Sequence, residues 1–375
     1  MRRSRRPCEQ PKPLSSANDI EFLVNKDSFG VLKLLIMVYG FVVLTISSGT
    51  VVCKSGSFCQ NIFKEISLKQ GGKLIKQTNA EFLRLVEGVT QGQWPALRAT
   101  AGATATSAPM TDIVGGAAIP VGTTGQYQNL YEELTVFLEL PYSEVESVKR
   151  STALRTKGNG DTILKFTQQD FSNLLGIGNE SVISYGSTAN MYISVEIEEL
   201  VEEVPGEGNL AANMPVKTFY ELKQEKTLSA DMNGERVQGF LGDGFDVLGY
   251  FWRLRDGAAG DADAATGKAP NDLIITKLQM MVDNKLMLVD SSWKQCKRAL
   301  QSTFRYPHAL TNGKAEDTGF SGVVFVNKSM LGAVPIPKGA NIEMIPTTAS
   351  QAAATDYGTA NKAYLSSLVH MIGPA

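Results

Sequence analysis

The chain is expected to fold as an all-β protein, two β-sandwiches in tandem with a few short helices. A hairpin-and-helix unit occurs twice, runs of alternating apolar and polar residues recur throughout, and 35 Gly residues in 375 punctuate them.

The first unit is NIFKEISLKQGGKLIKQTNAEFLRLVEG, residues 61–88. Two short apolar runs, Ile62 to Leu68 and Leu74 to Ile75, flank Gly71-Gly72, and a Gly pair supplies the positive φ that a tight hairpin requires. Thr78 and Glu81 have capping-box spacing, Phe82, Leu85 and Val86 follow at helical spacing, and Gly88 is placed to end the helix.

The second unit, residues 272–300, repeats this plan at an offset of 212 (274 − 62). Gly71-Gly72 becomes Asp283-Asn284, Thr78 becomes Asp290, and Trp293 opens the second helix where Phe82 serves the first, one residue out of register. The order of physical roles survives substitution, as expected for two copies of one β-rich domain.

The N-terminus carries four arginines in its first six residues, Arg2, Arg3, Arg5 and Arg6, and reads as a flexible basic arm over residues 1–28. Those four are the candidates for contact with phosphate, in nucleic acid or lipid headgroups. Leu34 to Val52 contains nineteen residues without a charge, long enough to cross a bilayer as a helix. Against that, ten of the twenty-two residues from Val31 to Val52 are β-branched and Ser47-Ser48-Gly49 interrupts the run. Two buried strands bent near Tyr39-Gly40, with a turn at Ser48-Gly49, are expected.

Gly88 to Asn129 has only Arg98 and Asp112 as charges and reads as a long excursion suited to packing against a neighbouring subunit. Alternation resumes at Leu134, Val136, Leu138 and Leu140, with capping-box spacing at Ser143 and Glu146, and continues through TILKFTQQDF and NMYISVEIEELVEEV. The last has one buried and one acidic face. Residues 205–215 are the best linker, placing a first domain over 29–208 and a second over 209–375. A strand from Val216, a hairpin at Asn233-Gly234, and strands DVLGYFWRLRD, GVVFVN, ANIEMIP and AYLSSLVHMIG fill the second half.

Catalytic chemistry finds little support. The chain has two histidines, His308 and His370, too few for a cluster of imidazole ligands, and it lacks HExxH, GxSxG and Walker sequences. Asp261 and Asp263 begin an incomplete calcium loop, and Asn179 and Asn327 begin N-x-S sequons. Glu198, Glu199, Glu202 and Glu203 would suit paired carboxylates of a glycosidase, but on an alternating strand they read as a solvated face. Cys53 and Cys59 match no metal or redox spacing; free thiols or a small disulfide loop fit them. Net charge is −2, so no strong overall pull toward polyanions exists. No enzyme activity, cofactor or metal is expected.

An N-terminal arm, a strongly apolar first strand pair and NIFKEISLKQGGKLIK followed by a short helix resemble the double jelly-roll major capsid proteins of tailless, membrane-containing icosahedral viruses, chiefly of bacteria (bacteriophages) and archaea. The resemblance covers the plan of residues 20–375; MRRSRR and the 88–129 excursion have no counterpart in it. It implies two tandem jelly rolls, a structural role, and homotrimeric pseudo-hexagonal capsomers tiling a shell over an internal lipid membrane. The implied partners are neighbouring capsomers, penton and minor capsid or membrane proteins, with the virion as location after assembly in the host cytoplasm. The alternative is a membrane-anchored or secreted glycan-binding β-sandwich surface protein, if Leu34 to Val52 spans a bilayer.

Overall fold

The computed structural model describes residues 2–14, 18–24, 27–46, 51–53, 57–95, 97–101, 118–119, 124–143, 149, 151–169, 175–176, 183–185, 190–201, 217–229, 232–233, 235–242, 244–256, 271–306, 310–311, 314–315, 317–326, 333–337, 340–349 and 362–374. The 205–215 linker, His308, Asn179, Asn327, the 261–267 loop, Glu202, Glu203 and the Ser48-Gly49 turn lie outside them, as do residues 102–117 and 120–123 of the excursion.

The main strands of the first half are β1 (Arg2–Pro7), β2 (Ile20–Val24), β3 (Val31–Ile46), β4 (Phe63–Gln70), β5 (Lys73–Thr78), β6 (Thr124–Phe137), β7 (Thr162–Gln168) and β8 (Asn190–Val201). Those of the second are β9 (Lys217–Ser229), β10 (Val237–Gly242), β11 (Asp246–Asp256), β12 (Ile275–Val282), β13 (Leu286–Ser292), β14 (Phe320–Val324), β15 (Ala340–Thr348) and β16 (Lys362–Pro374). A short helix α1 (Phe58–Ile62) precedes β4; α2 (Ala80–Gln91) follows β5 and α3 (Trp293–Phe304) follows β13.

The two halves repeat one wiring. One sheet of the first half runs β1-β8-β3-β6 and the other β5-β4-β7-β2. Adding eight to each strand number gives β9-β16-β11-β14 and β13-β12-β15-β10, which are the orders found in the second half. Each half is a sandwich of these two sheets. Alternate residues point inward, Ile20, Phe22 and Val24 on β2 and Leu34, Ile36 and Val38 on β3, into one contiguous buried core. Across the second sandwich, Ser367 Oγ on β16 sits 3.8 Å from Met344 Sδ on β15. Each fully buried large apolar side chain contributes roughly 1.5–3 kcal/mol.

The sandwiches are not separate. β5 and β9 meet in a short parallel ladder, Lys76 beside Glu221 and Gln77 beside Leu222, fusing two sheets into one of nine strands. First-half and second-half strands stay in separate blocks on either side of this seam.

Both expected hairpins form, with φ of 53° and 83° at Gly71-Gly72 and 47° and 57° at Asp283-Asn284. Their helix caps differ from expectation. Asn79, not Thr78, caps α2 by accepting from the Phe82 N–H at 3.0 Å, because Thr78 is still the last residue of β5. Gly92, at φ 66°, ends α2, and Gly88 lies inside it. Ser292, not Asp290, caps α3 in a full capping box with Gln295. The caps are therefore 213 residues apart (292 − 79), so the helices run one residue beyond the hairpin offset.

Two further expectations change and one is met. Strands occupy Val31–Ile46 and Val51–Cys53, on either side of the expected turn, and Gly40, at φ 135°, takes up the expected bend where partner β6 slips register between Tyr127 and Leu130. No helix among the described residues is long and apolar enough to cross a membrane. The strands around Asn233-Gly234 do not pair as a hairpin, since β9 pairs with β16 and β10 with β15 in another sheet; Gly234 itself is outside the described residues. Finally, Leu97–Ala101 and the start of β6 take the ends of the excursion into the sheet as paired strands.

Candidate functional site

The most concentrated chemistry among the described residues lies where the halves meet. On β5, Lys76 interrupts an apolar strand, and on β9 Glu221 does the same; strand pairing puts them side by side. Lys76 Nζ stands 3.9 Å from Glu221 Oε2 and 3.4 Å from the centre of the Phe219 ring. His370 Nε2, from β16, is 3.2 Å from the same Glu221 oxygen. All three side chains are buried. Burial pushes the Lys76 ammonium down to about 7 against the attraction of Glu221, and it also lowers His370. Burial alone would raise Glu221, but Lys76 and His370 outweigh it and hold the carboxyl below its ordinary range. His370 is packed among Tyr142, Phe219 and Phe251, whose ring centres lie 5.9, 5.0 and 4.8 Å from its own. The sequence suggests a satisfied or surface histidine rather than a ligand; His370 is instead fully buried, and its Nδ1 has no hydrogen-bond partner among the described residues.

A second ionic contact crosses the same boundary. Glu81 on α2 accepts from Arg253 Nε at 2.6 Å and from Arg255 at 2.5 Å, both on β11. Burial pushes Glu81 up, but Arg255 and Arg253 overcome it and hold the carboxyl at about 2. Around the pair, Phe82, Leu85, Val86 and Val89 of α2 pack with Phe251 and Leu368 on the outer face of the second sandwich. Spacing marked Glu81 as a capping residue; it is instead a buried ion. Charges set inside apolar runs, as in LIKQT, TFYEL and FWRLR, were the signal available for these residues.

The basic N-terminal residues form no free arm. β1 pairs antiparallel with the acidic β8 from Arg2 beside Val201 to Pro7 beside Glu196. Arg3 and Arg5 each reach Glu198 at 3.0 Å, and Arg6 engages Glu199 through two nitrogens, its Nη2 at 3.1 Å. Glu198 and Glu199, expected on a solvated face, are 5% exposed beneath these guanidinium groups. Each carboxylate is held by arginine.

Within the second half, Asp272 gathers the Trp293 indole N–H at 2.8 Å, Lys297 at 2.7 Å and the Gly319 N–H at 2.9 Å, fixing α3 on its sheet. A polar cleft of about 270 Å³ opens at the boundary between Gln91, Pro141, Tyr142, Lys149 and Phe304. No group of three or more metal-ligating side chains occurs among the described residues. Cys59 is a buried free thiol, so it makes no disulfide with Cys53.

No family model and no curated protein matches the sequence. Solved structures match across its length. The major capsid protein of Sulfolobus turreted icosahedral virus is 14% identical, with 99% of this chain and 97% of that one covered and a TM-score of 0.64. That of bacteriophage PM2 is 12% identical, covering 99% and 97%, with a TM-score of 0.52. The Faustovirus major capsid protein is 9% identical, covering 99% and 89%, with a TM-score of 0.57. The chain thus has the all-β double jelly-roll fold of these proteins.

Proposed function

We propose that this chain, a double jelly roll from end to end, is a viral major capsid protein: a structural, non-catalytic subunit that assembles as a homotrimer into pseudo-hexagonal capsomers of an icosahedral shell. The observation that carries the reading is the coverage. Both sandwiches, in order and without a further domain between them, correspond to nearly the whole length of the capsid proteins matched. The duplicated wiring supports it too, because three chains of two like sandwiches approximate a six-fold ring. Two buried ionic contacts at the seam suit a subunit whose halves must keep one relative setting.

The shell would lie over an internal membrane and meet penton and minor proteins, with the virion as its location after assembly in the host cytoplasm. Contact of Arg2, Arg3, Arg5 and Arg6 with lipid headgroups or nucleic acid would compete with the carboxylates that hold three of them now. The membrane-anchored alternative required Leu34 to Val52 as a spanning helix, whereas residues 31–46 are strand.

Electron microscopy of the purified protein, concentrated without detergent, tests the proposal. Six-lobed particles of three chains are expected; separate two-lobed particles at every concentration would contradict it.

A further inference from the structure

In the second sandwich the outer face of β16 and β11, carrying Leu368 and Phe251, is covered by α2 of the first sandwich. The equivalent face of the first sandwich belongs to β8 and β3; α2 of the same chain meets its β6 margin, where Thr135 Oγ1 donates to Glu87 at 2.9 Å, and no helix of the second half makes an extensive contact with it among the described residues. It is formed by the residues alternating with buried Ile36 and Val38. Met37, Tyr39, Tyr131 and Tyr192 lie there, with Tyr39 and Tyr192 stacked 6.0 Å apart and Tyr192 38% exposed. Glu133 stands opposite Met37, and Glu196 lies two residues from Ser194, the other neighbour of Met37.

The helix equivalent to α2 is α3. At the 213-residue offset, Glu81 becomes Lys294 and Leu85 becomes Arg298. Both are exposed and neither meets a carboxylate among the described residues. α2 brings an acid and apolar side chains to a face holding Arg253 and Arg255; α3 offers two cations to a face that holds Glu133 and Glu196 alongside Lys33, Arg3 and Arg5, which Glu139 and Glu198 engage. Glu133 and Glu196 make no ion pair among the described residues, so they are the acids left to meet the cations of α3.

We infer that the β3–β8 outer face is the docking surface for α3 of a second copy of this chain, with Lys294 and Arg298 set against Glu133 and Glu196. The inference rests on the capsid reading and names the contact that would join its subunits. The join between copies repeats the join within each copy, in polar form, as suits partners that fold before they meet. The same relation places the free edge of β13, with Leu286 and Met287 exposed, beside β1 of the neighbour, as β5 stands beside β9 within the chain.

Charge reversal separates this contact from the wider proposal. Lys294→Glu with Arg298→Glu, and separately Glu133→Lys with Glu196→Lys, should weaken trimer association by on the order of tenfold or more in sedimentation. The chain carrying all four changes should recover most of it, because the pairs are restored with opposite sign. Circular dichroism and thermal melting of each variant report whether the monomer is still folded; were the Glu133/Glu196 variant unfolded, the Lys294/Arg298 variant alone would decide, through loss of its trimer. A full-strength trimer in either folded variant, or no recovery in the fourfold change, would overturn the contact while leaving the capsid reading intact. A wild-type chain that never associates would instead remove the capsid reading on which it rests.

Discussion

Arg253 Nε donates to Glu81 Oε1 across 2.6 Å, joining a strand of the second sandwich to a helix of the first, 172 residues away in sequence. Both side chains are buried, so neither has water to replace the other. Glu81→Gln would leave Arg253 charged and without its carboxylate, at a cost of about 3–5 kcal/mol in chemical denaturation. A cost below about 1 kcal/mol, the range of surface pairs, would show that the contact does not hold the halves together.

The same carboxyl sets an acid dependence. Its folded value, about 2, lies below its ordinary 4.5. Its stabilisation is therefore complete above about 4.5 and is lost as pH falls toward 2. The stability difference between wild type and Glu81→Gln should shrink over that window. A difference that stays constant to pH 2 would contradict the assignment.

At the seam, removing one ion should be worse than removing both. Glu221→Gln leaves Lys76 and His370 without the carboxylate that both face, whereas Lys76→Met with Glu221→Leu fills the same space with apolar atoms. The double variant should unfold at higher urea than the single one. Because Lys76 is held near 7 against its ordinary 10.5, the unfolded chain binds the extra proton between those values. Stability should rise with pH across that interval in wild type and less so in Lys76→Met. Equal slopes would place the Lys76 titration elsewhere.

Gly88 is the helical glycine whose replacement should be costly. A Cβ there would lie 2.3 Å from the Trp94 ring, which packs over α2. Gly88→Ala should destabilise by about 1–3 kcal/mol through this overpacking, although Ala favours helix by about 1 kcal/mol. Trp94 emission should shift; an unchanged spectrum with raised stability would mean that the ring moves aside freely.

Much of this fold was legible because it depends on local chemistry. Alternation marked β6, β7 and β8, whereas β2 lies inside the stretch expected to be a flexible arm, and the Gly71-Gly72 and Asp283-Asn284 turns stood out as pairs tolerant of positive φ. The caps were misplaced by one or two residues because Thr78 and Asp290 are as able to cap as Asn79 and Ser292; strand length decides between them. The seam could not be read. Nothing in the sequence says that Lys76 meets Glu221, or that β1 crosses the molecule to bury Glu198 and Glu199, since those contacts join residues more than a hundred positions apart.

The seam also bears on the proposed division into domains. The fragment 217–375 would bare the β9 edge, the Phe251–Leu368 face and the Glu221 carboxyl together. It should keep strand content but aggregate and bind a hydrophobic dye. A soluble fragment that binds no dye would mean that the sandwiches fold and stand independently.

The central claim, a capsid subunit built to form closed three-chain rings, is tested most directly by the mass of the full chain in solution. Native mass spectrometry without detergent, over a range of concentrations, should find a species of three chains that persists on dilution. A protein that stays monomeric, or that is soluble only with detergent, would contradict the account.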